Sequence, residues 1–346
     1  MNAVLVTGGA GYIGSHMVRA LRKAGYRTVI LDNLSEGHRA AVPDEELIEG
    51  DLSDKGTVRA VLRRHRPQAI FHFAAFCSVG ESVANPLRYY MNNVTGTLNL
   101  LEAALEVGVG RFVFSSTAAL YGEPVETPIT EQHPLKPINP YGWSKLMGEQ
   151  MLADMTTAYG IEYCAFRYFN AAGADVGSGL GEDHRPETHL IPLAIKAALE
   201  QKELKVFGTD YDTRDGSCVR DYVHVLDLVE AHLRGLEYLE KGGKSISMNL
   251  GTANGTSVLE IIDAVKRVTG LEVPHVLTER RPGDPATLVA SNAKAKEVLD
   301  WEPKRDLDTI IQDAYDFFRR YPDGFPELDR SHMDWPPMVP ETSAKN

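Results

Sequence analysis

The chain has 346 residues, 43% of them hydrophobic and 24% charged, and a formal net charge of −12. That is the composition of an ordinary globular protein, long enough for one large domain or two unequal lobes. The negative charge disfavours non-specific binding to nucleic acid or an anionic membrane; no apolar run approaches a membrane span, and the first residues lack the basic stretch and apolar core of a signal peptide.

The first predicted strand, Ala3–Val6, runs into the stretch VTGGAGYIGSH. Gly8, Gly11 and Gly14 are spaced GxxGxxG, and Gly9, Gly11 and Gly14 also satisfy GxGxxG. Glycines at the end of a first strand permit a tight turn and bring backbone N–H groups close to a pyrophosphate. The helix that follows packs close to the sheet and adds the partial positive charge of its N-terminus. A turn that merely needs glycine is the plainer explanation, but the strand before and the helix after favour dinucleotide binding. The second strand, Thr28–Leu31, leads to Asp32, 18 residues after Gly14. A carboxylate there accepts from the adenosine ribose hydroxyls and repels a 2′-phosphate. Arg39 is the only arginine nearby, so NAD is expected rather than NADP. The third strand, Glu46–Glu49, leads to Asp51, which reads either as a cap on the adenine edge or as an N-cap for the helix predicted over Lys55–Arg64.

Strand Ala69–Phe73 and helix Thr97–Val107 continue the alternation, and strand Arg111–Ser115 leads into three hydroxyls, Ser115, Ser116 and Thr117. In NPYGWSK, Tyr141 and Lys145 stand four apart, on one face of a helix. A tyrosine is a poor base because its ordinary pKa is about 10. A cation one turn along favours phenolate, as would an oxidised nicotinamide, and makes it a usable proton acceptor. Tyr-x-x-x-Lys alone is usually a surface pair. A strand-end hydroxyl and a glycine loop in this order make it a strong signal. Strand Glu162–Arg167, a glycine-rich loop over 173–181 and helices over Pro192–Gln201, Asp227–Leu239, Val258–Thr269 and Leu307–Arg319 follow, and the chain turns proline-rich and polar from Tyr321. The alternation predicts an α/β protein: a Rossmann-type, doubly wound parallel sheet with a smaller α/β C-terminal substrate lobe. The expected division is an NAD-binding domain over 1–170, a second lobe over 171–320 with some chain crossing between them, and a loosely packed tail over 321–346. Cys77, Cys164 and Cys218 are odd in number and far apart. They suit neither a disulfide framework nor a metal site and read as packing residues in a reducing cytoplasm; no metal is expected.

Over about residues 3 to 320 the chain resembles the extended short-chain dehydrogenase/reductase superfamily, and within it the UDP-glucose 4-epimerase family. The matching stretches include VTGGAGYIGSH, DNLSEG, YYMNNVTGT, FSSTAALYG, PYGWSK, RYFNAAGA, RRPGDPA and, most discriminating, TRDGSCVRDYVHV. The resemblance implies Tyr141 as catalytic base and acid, Lys145 as the group that lowers its pKa and holds the nicotinamide ribose, and Thr117 as the hydroxyl on the sugar 4-oxygen. It implies NAD contacts from Gly8, Gly11, Tyr12, Ile13, Gly14, Asp32, Asn33, Asp51, Leu52, Phe73, Ala74, Ala75, Asn92, Ser115 and Phe169. It implies UDP-sugar contacts from Asn170, Leu190, Phe207, Arg220, Arg281 and Asp284. The two arginines can supply the cations that a diphosphate needs in an acidic protein, although Asp221 and Asp284 are ready partners for them. The implied reaction interconverts UDP-glucose and UDP-galactose by transient NAD-dependent oxidation at C4, in a cytoplasmic homodimer joined through helices around Thr97–Val107 and Ser144–Tyr159.

Two departures stand out. Cys77 occupies a position where many members carry lysine. Leu288 stands where some carry tyrosine and others a small residue, which leaves room for weak action on UDP-N-acetylhexosamines. Other readings on the same scaffold are a UDP-glucuronate or UDP-pentose epimerase, a uronate decarboxylase, or a nucleotide-sugar dehydratase. Ala118 and Ala119 after Thr117 can do no acid–base work, which counts against dehydration. A catalytically silent dinucleotide sensor would not need Thr117, Tyr141 and Lys145 together.

Overall fold

The computed structural model describes residues 3–280 and 285–326. Strands β1 (Ala3–Thr7), β2 (Arg27–Asp32), β3 (Leu47–Glu49), β4 (Ala69–His72), β5 (Arg111–Thr117) and β6 (Glu162–Tyr168) form one sheet with a seventh strand, Ile246–Leu250. Its order is Ile246–Leu250, β6, β5, β4, β1, β2, β3, and every pairing is parallel. The order reverses between β1 and β4, and a crevice opens there at the carboxyl ends of the strands.

Alternation along the strands sends side chains to two cores. Val4, Val6, Ile30, Phe71, Val113 and Phe166 pack with Met17, Val18 and Leu21 of helix Tyr12–Lys23 and with Leu228, Val229 and Leu236 of helix Val225–Glu240. Leu5, Val29, Leu31, Ile70, Phe112 and Phe114 face the other way, onto Val58 and Leu62 of helix Lys55–His65, Leu100 and Leu101 of helix Gly96–Val107, and Leu152 of helix Pro140–Tyr159. A sheet covered on both faces is what the near-continuous apolar strands require. The doubly wound α/β fold expected from the sequence is therefore present.

The sequence reading missed the outer strand Ile246–Leu250 because its ISMNL pattern is neither a run nor an alternation of β-formers. With helix Val225–Glu240, it carries chain from beyond residue 170 into the large sheet. A third core gathers helices Leu190–Glu200, Val258–Thr269 and Leu307–Arg320. Short sheets border it: Asn170–Ala172 beside Tyr222–His224, Val219–Arg220 between Thr256–Ser257 and Thr287–Leu288, and Leu204–Phe207 beside His275–Thr278. The chain stays packed a little past residue 321. Phe325 is buried against Phe317, Tyr321 and His38, and its carbonyl oxygen accepts from Arg185.

Candidate active site

The glycine turn lies where β1 ends. Gly8 has φ +70°, and a Cβ there would lie 2.5 Å from the Ala74 nitrogen after β4. A Cβ on Gly14 would lie 2.0 Å from the Gly8 carbonyl oxygen, so only glycine lets helix Tyr12–Lys23 start so close to the strand. The cleft beyond encloses about 540 Å³ and is lined by Gly8, Gly11, Asp32, Asn33, Leu52, Phe73, Ala74, Ala75 and Asn92. Nine of the expected NAD contacts thus share one crevice. Asp32 is buried and accepts from the Ala10 and Leu34 amides at 2.8 Å each. Burial raises its pKa, and those two amides oppose the shift. Arg39 turns away, donating to the carbonyl oxygens of Glu45 and Pro43. Asp51 accepts from Asn33 Nδ2 at 2.6 Å and from the Ser53 amide at 2.7 Å. It is not the helix N-cap: Asp54 is, accepting from Gly56 and Thr57. Ile13 packs into the sheet core. The Tyr12 phenol donates to the Gly173 carbonyl oxygen at 2.7 Å, tying the glycine turn to the second lobe.

The second group sits at the ends of β5 and β6. Helix Pro140–Tyr159 starts with Asn139 as N-cap and Pro140 in its first position, which sets Tyr141 and Lys145 one turn apart. Thr117 Oγ1 accepts from the Ala119 amide at 3.1 Å, and the Thr117 side chain lies close enough to the Tyr141 phenol to lower its pKa. Lys145 is 4% exposed, its Nζ donating to the Ser115 carbonyl oxygen at 2.9 Å and lying 5.1 Å from the centre of the Phe114 ring. Burial pulls the Lys145 pKa down to about 8, with Cys77 opposing. Burial pushes the Tyr141 phenol well above its ordinary value, Cys77, Tyr168 and Tyr89 add to the rise, and the Thr117 side chain opposes it. The side chains alone therefore leave Tyr141 protonated at neutral pH. Ser115 Oγ is hydrogen-bonded to the Tyr168 phenol.

The sequence reading missed a π-turn over Tyr90–Thr95. It brings Asn92 to the cleft and aims buried Asn93 inward, where Nδ2 donates to the Phe76 carbonyl oxygen at 3.0 Å and to Ser144 Oγ at 2.9 Å. Ser144 Oγ in turn donates to the Tyr141 carbonyl oxygen at 2.7 Å. Asn93 is thus a brace between the cleft and helix Pro140–Tyr159, and sequence spacing alone does not reveal a π-turn.

A second cavity of about 910 Å³ opens in the smaller lobe, lined by Asn170, Leu190, Phe207 and Arg220, together with His189, Lys205 and Tyr222. Four expected UDP-sugar contacts therefore converge. Arg220 Nη1 donates to the carbonyl oxygens of Val219 and Pro285 at 2.9 Å each. The Asp221 carboxylate accepts from Thr252 and from the Ala290 amide. Phe169 and Leu288 pack on the small cluster of Ala118, Tyr121 and Ile129, and Leu288 is in register with Arg220. Arg281 and Asp284 lie outside the described residues.

The family model for the NAD dependent epimerase/dehydratase family matches residues 4–251. The UDP-glucose 4-epimerase of Rhizobium meliloti (strain 1021) is 53% identical over 320 residues, covering 92% of this chain and 98% of its own. The chain belongs to the UDP-glucose 4-epimerases. Among solved members, the crystal structure of the Brucella ovis UDP-glucose 4-epimerase in complex with NAD is 48% identical, with a TM-score of 0.89 over 92% of this chain and 98% of that one. The UDP-Glc/GlcNAc 4-epimerase from Campylobacter jejuni is 44% identical, with a TM-score of 0.81 over 92% of this chain and all of that one.

Proposed function

We propose that the protein interconverts UDP-glucose and UDP-galactose by NAD-dependent oxidation and reduction at the sugar C4. The observation that carries this reading is the grouping of Thr117, at the end of β5, with Tyr141 and with buried Lys145, whose Nζ is held on the Ser115 carbonyl oxygen, at the same edge of the sheet from which the glycine cleft opens. The glycine cradle, which a Cβ would fill, and the Asp32 carboxylate suit a dinucleotide without a 2′-phosphate. NAD held there by the lobe of residues 1–170 supplies the hydride acceptor and donor. Thr117 orients the sugar 4-hydroxyl towards Tyr141. The Tyr141 phenolate takes that proton and later returns it, and the Lys145 ammonium favours the phenolate. Asn170, Leu190, Phe207 and Arg220, with Arg281 and Asp284, hold the nucleoside diphosphate in the lobe of residues 171–320, so the ketose intermediate can turn while its UDP stays anchored.

The working assembly is a cytoplasmic homodimer. Exposed Leu98, Trp143 and Met147 on helices Gly96–Val107 and Pro140–Tyr159, with Val83, Leu87 and Met91 beside them in sequence, give the apolar side chains that such a contact buries. No helix among the described residues is long and apolar enough to cross a membrane. The deciding experiment incubates the purified chain with UDP-galactose and no added cofactor. UDP-glucose formation is the expected result. Accumulating NADH would instead indicate a net dehydrogenase, and absence of any reaction with NAD supplied would indicate a sensor; either overturns the reading.

A further inference from the structure

Between strand Asn170–Ala172 and helix Leu190–Glu200 the chain crosses the seam between the cofactor cleft and the substrate cavity. This crossing carries the sequence GEDHRPETHL, with Glu182, His184, Glu187 and His189 at spacings of two, three and two. One ligand atom from each of the four lies within 4.8 Å of all the others. His184 Nδ1 is 3.2 Å from Glu182 Oε1 and 3.8 Å from Glu187 Oε2. His189 Nδ1 is 2.7 Å from Glu182 Oε1 and 3.2 Å from Glu187 Oε1.

We propose that Glu182, His184, Glu187 and His189 form a closed, four-coordinate site for a divalent cation of the zinc type, which pins this crossing at the rim of the substrate cavity. A tetrahedral ion with bonds of about 2.1 Å separates its ligand atoms by about 3.4 Å. The four imidazole–carboxylate separations of 2.7 to 3.8 Å, taken to either oxygen of Glu187, bracket that edge, and the His189–Glu182 pair has to open by about 0.7 Å to admit the ion.

A second observation points inward. The Glu182 and Glu187 side chains are only 4% and 5% exposed. Glu187 Oε2 and His184 Nδ1 are buried without a hydrogen-bond partner among the described residues. Two adjacent buried carboxylates also need positive charge in contact with them, which a dication bound by the two imidazoles in their neutral form would supply in place of two protons. Two imidazole nitrogens and two carboxylate oxygens favour zinc or cobalt over magnesium or calcium. With all four positions taken by protein, the role is structural. The ion would fix His189 on the cavity wall beside Leu190, and His184 against the Tyr12 ring, whose centre is 6.5 Å away.

The test uses the full chain with its NAD, stripped of metal by a chelator and titrated with Co²⁺ alone. One equivalent per chain with the intense visible absorption of a tetrahedral ion, displaced by Zn²⁺, is expected. Glu187→Gln and His184→Gln should each weaken binding at least about tenfold, whereas His275→Gln, on an exposed strand residue, should leave it unchanged. X-ray absorption at the cobalt edge of the wild-type chain should count two imidazoles, and this reading does not depend on whether either variant folds. Absence of a saturable tetrahedral spectrum, its persistence unchanged in a folded variant, or a count other than two overturns the site.

Discussion

At Tyr141 two opposing influences meet on one phenol. Burial raises its pKa and Thr117 lowers it, and a cation one turn along favours the phenolate. Tyr141→Phe should keep the fold and NAD binding while cutting turnover by about 10² to 10⁴, the usual worth of a positioned acid–base group. Near-wild-type turnover would remove Tyr141 from the chemistry. Lys145→Met should move the acid limb of the rate profile to higher pH at saturating NAD; an unmoved limb would show that Lys145 does not set that ionisation. Leu288, in register with Arg220 and packed beside Phe169, marks the sugar range. We expect weak turnover of UDP-N-acetylglucosamine that falls in Leu288→Tyr and rises in Leu288→Ser, with UDP-galactose turnover steady. Parallel changes for both substrates would make Leu288 a packing residue only. At this scale the sequence was most legible where chemistry is local: Gly8 to Gly14 and Tyr141 to Lys145 lie within single turns, where spacing alone dictates proximity. His189 and Lys205 were not legible although Leu190 and Phe207 beside them were, because the cavity wall they join is assembled by folding from five separate segments.

Elements were legible to the extent that their own pattern defines them. Apolar runs identified β1 to β6, but the strand Ile246–Leu250 carries Ser247 and Asn249, which serve Glu149, Tyr121 and the Ile129 carbonyl oxygen rather than an apolar core. The π-turn at Tyr90–Thr95 leaves no periodic signature over six residues. The seating of helix Pro140–Tyr159 on β5 is a further tertiary fact, and Gly148 measures it. A Cβ there would lie 2.6 Å from Cζ of Phe114, a ring only 2% exposed. Alanine should gain about 1 kcal/mol from helix propensity, and overpacking against a buried ring costs about 1–3 kcal/mol. The clash should win, because Phe114 is held between the helix and the sheet. Gly148→Ala is therefore expected to lower the urea midpoint. In a Phe114→Leu background the same substitution should become neutral or stabilising, since the atom it strikes is gone. A stabilised Gly148→Ala single variant would show that the helix moves away from β5 at little cost.

Across the whole molecule, stability should depend on acid through histidines that the sequence gives no reason to single out. Burial lowers His72 to about 3, with Lys145 adding to the shift. Burial also lowers His16 and His232 to about 4 each. In each case the folded value lies below the ordinary 6.5, so below pH 6.5 the unfolded chain binds protons that the folded chain refuses. The stability these groups contribute is full above about pH 6.5 and is lost as pH falls towards about 4. Each adds a slope of about 1.4 kcal/mol per pH unit inside that window, about 4 kcal/mol per unit for the three together. His232 is the cleanest test. Its ring lies against Phe73, Phe166 and Tyr168 at centroid distances of 5.1, 4.7 and 5.8 Å, and its one ring hydrogen bond among the described residues is to the Leu228 carbonyl oxygen. That oxygen lies one turn back in helix Val225–Glu240 and keeps the helical amide of residue 232 when the ring is removed. His232→Leu therefore deletes a titrating group at small cost in packing. Urea denaturation at pH 7, 6 and 5 should show the variant losing stability less steeply than the wild type, by about 1.4 kcal/mol per pH unit, with the two closest at pH 7. Equal slopes would mean that the folded protein protonates His232 as readily as the unfolded chain, and that the acid sensitivity of this fold lies in its carboxylates.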